Sequence, residues 1–202
     1  ELSRYHFFYA NYLNNSKEFE KAKKVLNSAI ENFPRNLLIN QFNKILIKEE
    51  KNYNIFSCKN INHVTAEILY IISTALSLTG DYKLSNFYIN LAKYLNPKFI
   101  SYQSLLAENF VDLKKFDIAK NIYLRLQKAG SIYKWHSNKQ IALILERQKK
   151  NDESVNYLLN AYKNINPSVY ETFDLANFLR NKKKYEKSIE FYSKILLEID
   201  KD

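Results

Sequence analysis

Five short segments of this chain share one pattern: EFEKA at Glu18–Ala22, DYKLS at Asp81–Ser85, KFDIA at Lys115–Ala119, KNDES at Lys150–Ser154 and KYEKS at Lys184–Ser188. Take the second residue of each as a landmark: Phe19, Tyr82, Phe116, Asn151 and Tyr185. The last four follow one another at an almost constant interval, and the first gap is nearly twice as wide. A recurrence at this interval constrains the fold more than any other feature. It means one supersecondary unit repeated, each copy burying its apolar face against the next.

The register extends well beyond the segments. Three residues after each landmark stand Ala22, Ser85, Ala119, Ser154 and Ser188, and nine before stand Ala10, Ser73, Ala107, Ala142 and Ala176, all small. Large apolar residues occupy most of the positions ten before (Tyr9, Ile72, Leu106, Ile141, Leu175) and six before (Leu13, Leu76, Phe110, Leu145, Leu179). A small residue in a first helix and another early in a second let the two cross closely, while large neighbours at helical spacing fill the groove between them. The residue at the landmark, aromatic in four copies, is expected to plug the turn. Pro34, Pro97 and Pro167 follow three of the units and are expected to stop the second helix.

The whole chain of 202 residues contains only 2 Gly and 3 Pro, too few for the many tight turns of a β fold. Helices are expected near 3–14, 18–32, 37–50, 64–79, 82–95, 98–113, 116–129, 133–149, 151–164, 168–181 and 184–199, giving an all-α chain of about eleven helices. The stretch from Phe19 to Tyr82 falls short of two full periods. Within it Leu37–Glu50 has helical spacing, whereas Lys51–His63 is Asn-rich and aperiodic. One unit is therefore degenerate: a first helix followed by an irregular connector that replaces the second. No apolar run reaches the roughly 18 residues of a membrane span.

This pattern resembles the tetratricopeptide repeat (TPR) family over Arg4 to about Asn36 and Val64 to about Asp200. It departs at Asn151 in place of the turn aromatic, at Ser131 in place of proline, and at Leu126 and Ile195 in place of a second small residue. The resemblance implies a right-handed superhelical solenoid, a single array over 1–202. Its divisions are a first repeat over 1–36, the degenerate unit over 37–63, and regular repeats over 64–97, 98–131, 132–167 and 168–202. The segment Val64–Asp200 also resembles long repeat proteins of alphaproteobacteria. The chain begins at Glu1 and has no Met, so it is expected to be a piece of a larger protein.

In this family the inner faces of the first helices line a concave groove for a peptide or helix of a partner protein. By register, the resemblance places Tyr70 and Thr74 on that face, then Ser104 and Glu108, then His136, Lys139, Leu143 and Arg147, and last Tyr170, Phe173, Asn177 and Arg180. Asn11 and Asn177 match single positions of the carboxylate clamp known in chaperone-binding relatives, but the surrounding Lys and Arg are out of register. A chaperone-tail receptor is not expected.

No catalytic, cofactor or metal motif accompanies the repeat. His6, His63 and His136 are isolated at ligand spacing, the Gly-rich phosphate and dinucleotide loops are missing, and Cys58 with His63 falls in the aperiodic connector. The chain is not expected to be an enzyme or to hold a cofactor. The expected partner is another protein. Two alternatives stay open: an RNA or anionic-polymer binder, motivated by the net charge of +10, and a non-catalytic arm of a larger enzyme. Apart from KKKYEK at Lys182–Lys187 the bases are scattered, and Asn, Lys, Ile and Tyr share AT-rich codons. Compositional drift therefore accounts for the charge more simply than a binding footprint does.

Overall fold

The computed structural model describes residues 2–47 and 55–199. These form eleven α-helices: α1 (Leu2–Asn15), α2 (Phe19–Asn32), α3 (Leu37–Ile47), α4 (Ile61–Leu78), α5 (Tyr82–Leu95), α6 (Tyr102–Asp112), α7 (Phe116–Leu126), α8 (Ser131–Arg147), α9 (Asn151–Lys163), α10 (Val169–Asn181) and α11 (Tyr185–Ile199). No strand occurs among the described residues. The chain divides into two compact units, Glu1–Tyr133 and Lys134–Asp202, with the boundary inside the first turn of α8.

Five hairpins follow the repeat: α1–α2, α4–α5, α6–α7, α8–α9 and α10–α11. All ten small residues of the register are buried, with Ala10, Ala22, Ser73, Ser85, Ala107, Ala119, Ala142, Ser154 and Ala176 at 0% exposure and Ser188 at 2%. Where the second small residue is serine, its hydroxyl donates to the backbone carbonyl of the first: Ser85 to Ser73 at 2.8 Å, Ser154 to Ala142 at 2.6 Å and Ser188 to Ala176 at 2.9 Å. The helices touch closely enough there for a side chain to reach the other backbone.

The turns are closed by backbone geometry. Two residues before each landmark stand Lys17, Gly80, Lys114, Lys149 and Lys183, all with positive φ between 57° and 85°. Each donates to the carbonyl three residues back, and its successor to the carbonyl five back, as in Lys114 N–H to Val111 (3.0 Å) and Lys115 N–H to Phe110 (2.8 Å). This is the Schellman closure. The landmark aromatics open the second helix but do not uniformly plug the turn: Phe19 and Tyr185 are exposed, while Tyr82 and Phe116 are half-buried. Pro34 and Pro97 each stand two residues past a helix end. Where Ser131 replaces proline, Gly130 breaks the chain at φ 135°, held against the Gln41 side chain of α3.

Two departures from the expected helices matter for function. α3 ends at Ile47, and the part of the expected helix and connector over 48–54 lies outside the described residues. α4 starts at Ile61, because the Asn60 side chain accepts from the Asn62 N–H at 3.0 Å and caps it early. Over its 18 residues α4 has the length and average apolarity of a membrane span, but polar residues interrupt it throughout. It is paired here with α5 and carries a buried Glu67.

Candidate partner-binding site

In the first unit, the face carrying Tyr70, Thr74 and Ser104 is covered by the chain's own N-terminal helices. Arg4 of α1 reaches across it. Its guanidinium makes two bonds to the Glu67 carboxylate (2.6 and 2.7 Å), donates to Ser101 Oγ at 3.1 Å, and lies 4.0 Å from the Tyr70 ring centroid. Tyr102 is fully buried with its hydroxyl toward Glu67, and burial beside that carboxylate drives its pKa far up. Phe7 of α1 stacks on Phe99 and meets Phe42 of α3 edge-on. Tyr70, expected on an open groove, is half-buried against Arg4 and Tyr102. Thr74 donates back to the Tyr70 carbonyl, and Ser104 is half-buried, both lining one cavity with Ser3, Arg4 and Tyr5 of α1. Glu108 stays at the surface of α6.

α3 closes this cover from the other side. Gln41 accepts from the Ile132 N–H at 3.2 Å and Lys44 donates to Ser131 Oγ at 3.3 Å, so α3 is tied to the start of α8. The described part of the connector is anchored as well. Phe56 is buried against Phe8 and Phe99, and its carbonyl accepts from Asn11 at 2.8 Å. Asn11 therefore serves packing and is 2% exposed. His63 Nδ1 accepts the Ser57 N–H at 3.0 Å, and burial with nearby Lys98 lowers its pKa, while Cys58 is exposed.

The second unit presents the same register uncovered by any such helix of its own. α8 and α10 are held together by Asp174, which accepts from Trp135 Nε1 at 3.1 Å and from Lys139 Nζ at 2.7 Å, and by an ion pair between Glu146 and Lys182. Lys139 is thus engaged in fixing the helices. His136 sits one turn earlier, half-buried. Burial, then repulsion from Lys139, brings its pKa down to about 4 against the opposing pull of Asp174. Leu143, Tyr170 and Phe173 are exposed at 40%, 57% and 42%. Arg147 and Arg180 are also exposed. Asn177 donates to the Phe173 carbonyl and accepts from the Tyr192 hydroxyl at 2.8 Å, which ties α10 to α11.

Sequence reasoning missed Arg4, Glu67 and Asp174. The spacing of Trp135 and Lys139 on one face of α8 was the available signal for the last; nothing local marks Arg4 and Glu67, which lie far apart in the chain. No group of three or more His, Cys, Asp or Glu positioned to hold a metal ion occurs among the described residues.

No family model matches the sequence, and no curated protein matches it. Solved structures do. A point variant of the nearly identical TPR-like repeats of a Podosopora anserina putative kinesin light chain aligns over 96% of this chain and 92% of that one, at 10% identity and a TM-score of 0.50. MamA from Desulfovibrio magneticus RS-1 aligns over 99% and 97% at 12% identity and 0.44. The apo form of RapI aligns over 100% and 71% at 16% identity and 0.48. The first of these likenesses, with the hairpin register above, shows a helical-repeat fold of the TPR type.

Proposed function

We propose, starting from a TPR-type helical-repeat fold, that this chain is a non-catalytic scaffold that binds a segment of another protein on α8 and α10. The observation that carries this reading is the exposure of Tyr170 and Phe173 on helices fixed by the Asp174 hub. Aromatic anchors on a rigid support lose little entropy on binding and are the side chains in which binding energy concentrates. With the exposed Leu143 and Arg147 of α8 and Asn177 and Arg180 of α10 taken by register as parts of the same face, it suits a peptide or helix with an apolar anchor flanked by acidic side chains. Tyr70, Thr74 and Ser104 do not belong to it, because α1 occupies their face.

The test is quantitative capture of partner proteins by the wild type, by Tyr170→Ala/Phe173→Ala and by Tyr94→Ala, whose exposed ring lies on α5. Partners bound through the proposed face are lost with the first variant and kept with the second. Equal recovery by all three proteins overturns the reading. Capture that collapses with salt and depends on nucleic acid would favour a polymer binder instead.

A further inference from the structure

Two sets of exposed apolar residues fall at repeat positions that other helices of the chain bury in whole or in part. In α9, Val155 and Tyr162 mark the side of a second helix that faces the next repeat, with Ile165 two residues past its end; Val155 is buried and the other two are half-buried. Val155, with Leu158, shares a core with Leu175 and Leu179 of α10, and the Tyr162 hydroxyl bonds Thr172 at 2.9 Å. Counted from the landmarks Asn151 and Tyr185, the equivalent positions of α11 are Ile189, Leu196 and Ile199. These are exposed at 62%, 62% and 56%. So α11 displays, uncovered, the surface that α9 uses to hold α10.

The complementary surface belongs to a first helix. In α6 it is marked by Tyr102 and Leu106, at 0% and 3% exposure. The equivalent positions of α8 are Ser137 and Ile141, both at 0%. In α4 they are Ile68 and Ile72, exposed at 54% and 39%. The cause is the degenerate unit: α3 folds onto α1 and α2, and no second helix precedes α4 among the described residues. α1 shows the same uncovered register, but with Tyr5 and Tyr9, whose hydroxyls tolerate water. The isoleucines of α4 carry no polar atom.

One chain therefore bears, uncovered, the α9-type face on α11 and, on α4, Ile72 at the register position of Leu175, the α10 residue that shares a core with α9. From this we infer that two copies associate head to tail, the α11 face of one covering the α4 face of the next. The contact is heterologous, with different surfaces on the two partners, so addition continues beyond two copies. It uses neither Tyr170 nor Phe173, so it stands or falls apart from the partner-binding face.

The experiment is sedimentation velocity over a range of protein concentration. The wild type is expected to grow in mass as concentration rises. Ile189→Glu/Leu196→Glu and Ile68→Glu/Ile72→Glu, all at exposed positions, are each expected to weaken association by more than about a hundredfold, because each buries unpaired carboxylates. Mixed in equal amounts, the two variants are expected to form a one-to-one dimer and stop, since each retains the face the other lacks. Circular dichroism confirms the helical content, and Lys versions replace any Glu variant that loses it. A wild type that stays monomeric throughout, or variants that do not pair when mixed, overturns the inference. So does self-association abolished by Tyr9→Glu but untouched by Ile68→Glu/Ile72→Glu.

Discussion

The Ser154 hydroxyl donates to the backbone carbonyl of Ala142 across 2.6 Å, from one helix of the hairpin to the other. The bond recurs in two other hairpins, while the pairs Ala10–Ala22 and Ala107–Ala119 hold the same crossing without it. The crossing therefore depends on small volume, and the hydroxyl adds to it. Ser154→Ala is expected to lower the stability of the second unit by about 1 kcal/mol, the net value of one such bond. Ser154→Leu is expected to cost about 3 kcal/mol or more by forcing the helices apart. Urea denaturation of both variants measures the ratio.

Four lysines hold the left-handed conformation that Gly80 holds without strain. A β-carbon at Gly80 would meet nothing within 4 Å, so only backbone strain separates the two residues there. Lys114→Gly is expected to stabilise by about 1 kcal/mol and Gly80→Lys to destabilise by a similar amount. Thermal melts of the pair, shifting in opposite directions, check it.

Arg4 and Glu67 are 16% and 11% exposed, so removing either leaves a poorly solvated charge. Arg4→Ala and Glu67→Ala are each expected to cost about 3 kcal/mol, and Arg4→Met with Glu67→Leu to recover most of it. A double-mutant cycle by denaturation tests this. Tyr70→Ala belongs to the same experiment: it is expected to lower stability and leave partner capture unchanged.

His136 gives the second unit a pH dependence. Its folded value near 4 lies below the ordinary histidine value, so as pH falls the unfolded chain takes up the proton first. The associated stability is present above about pH 6.5 and is lost as pH falls toward 4, by about 2 kcal/mol after allowing for the ring's residual exposure. His136→Gln is expected to flatten this part of the stability profile, measured by denaturation at a series of pH values.

Hairpin geometry was legible in the sequence because it is local. Ala107 and Ala119 lie in adjoining helices, and periodicity alone pairs them. The face of Tyr70 was not legible, because its state depends on Arg4, far earlier in the chain and outside its repeat. A repeat register says which way Tyr70 points and is silent about what folds over it. The turn aromatics misled for a related reason: backbone closure at Lys17 and Lys183 does their job, leaving Phe19 and Tyr185 at the surface. On α10, Tyr170 and Phe173 are exposed, although the Phe173 ring meets Tyr192 of α11 edge-on.

The bond from the Ile132 amide to the Gln41 side chain joins residues 91 positions apart, and Arg4 reaches Ser101 over 97. In the second unit the hub at Asp174 spans only 39 positions to Trp135. A stack of hairpins gains its contacts from neighbours in sequence and assembles quickly from any point. The second unit keeps that property. The first must close long loops before α1 and α3 find their places, so it is the slower of the two to form and the one in which early hairpins wait with their apolar faces bare.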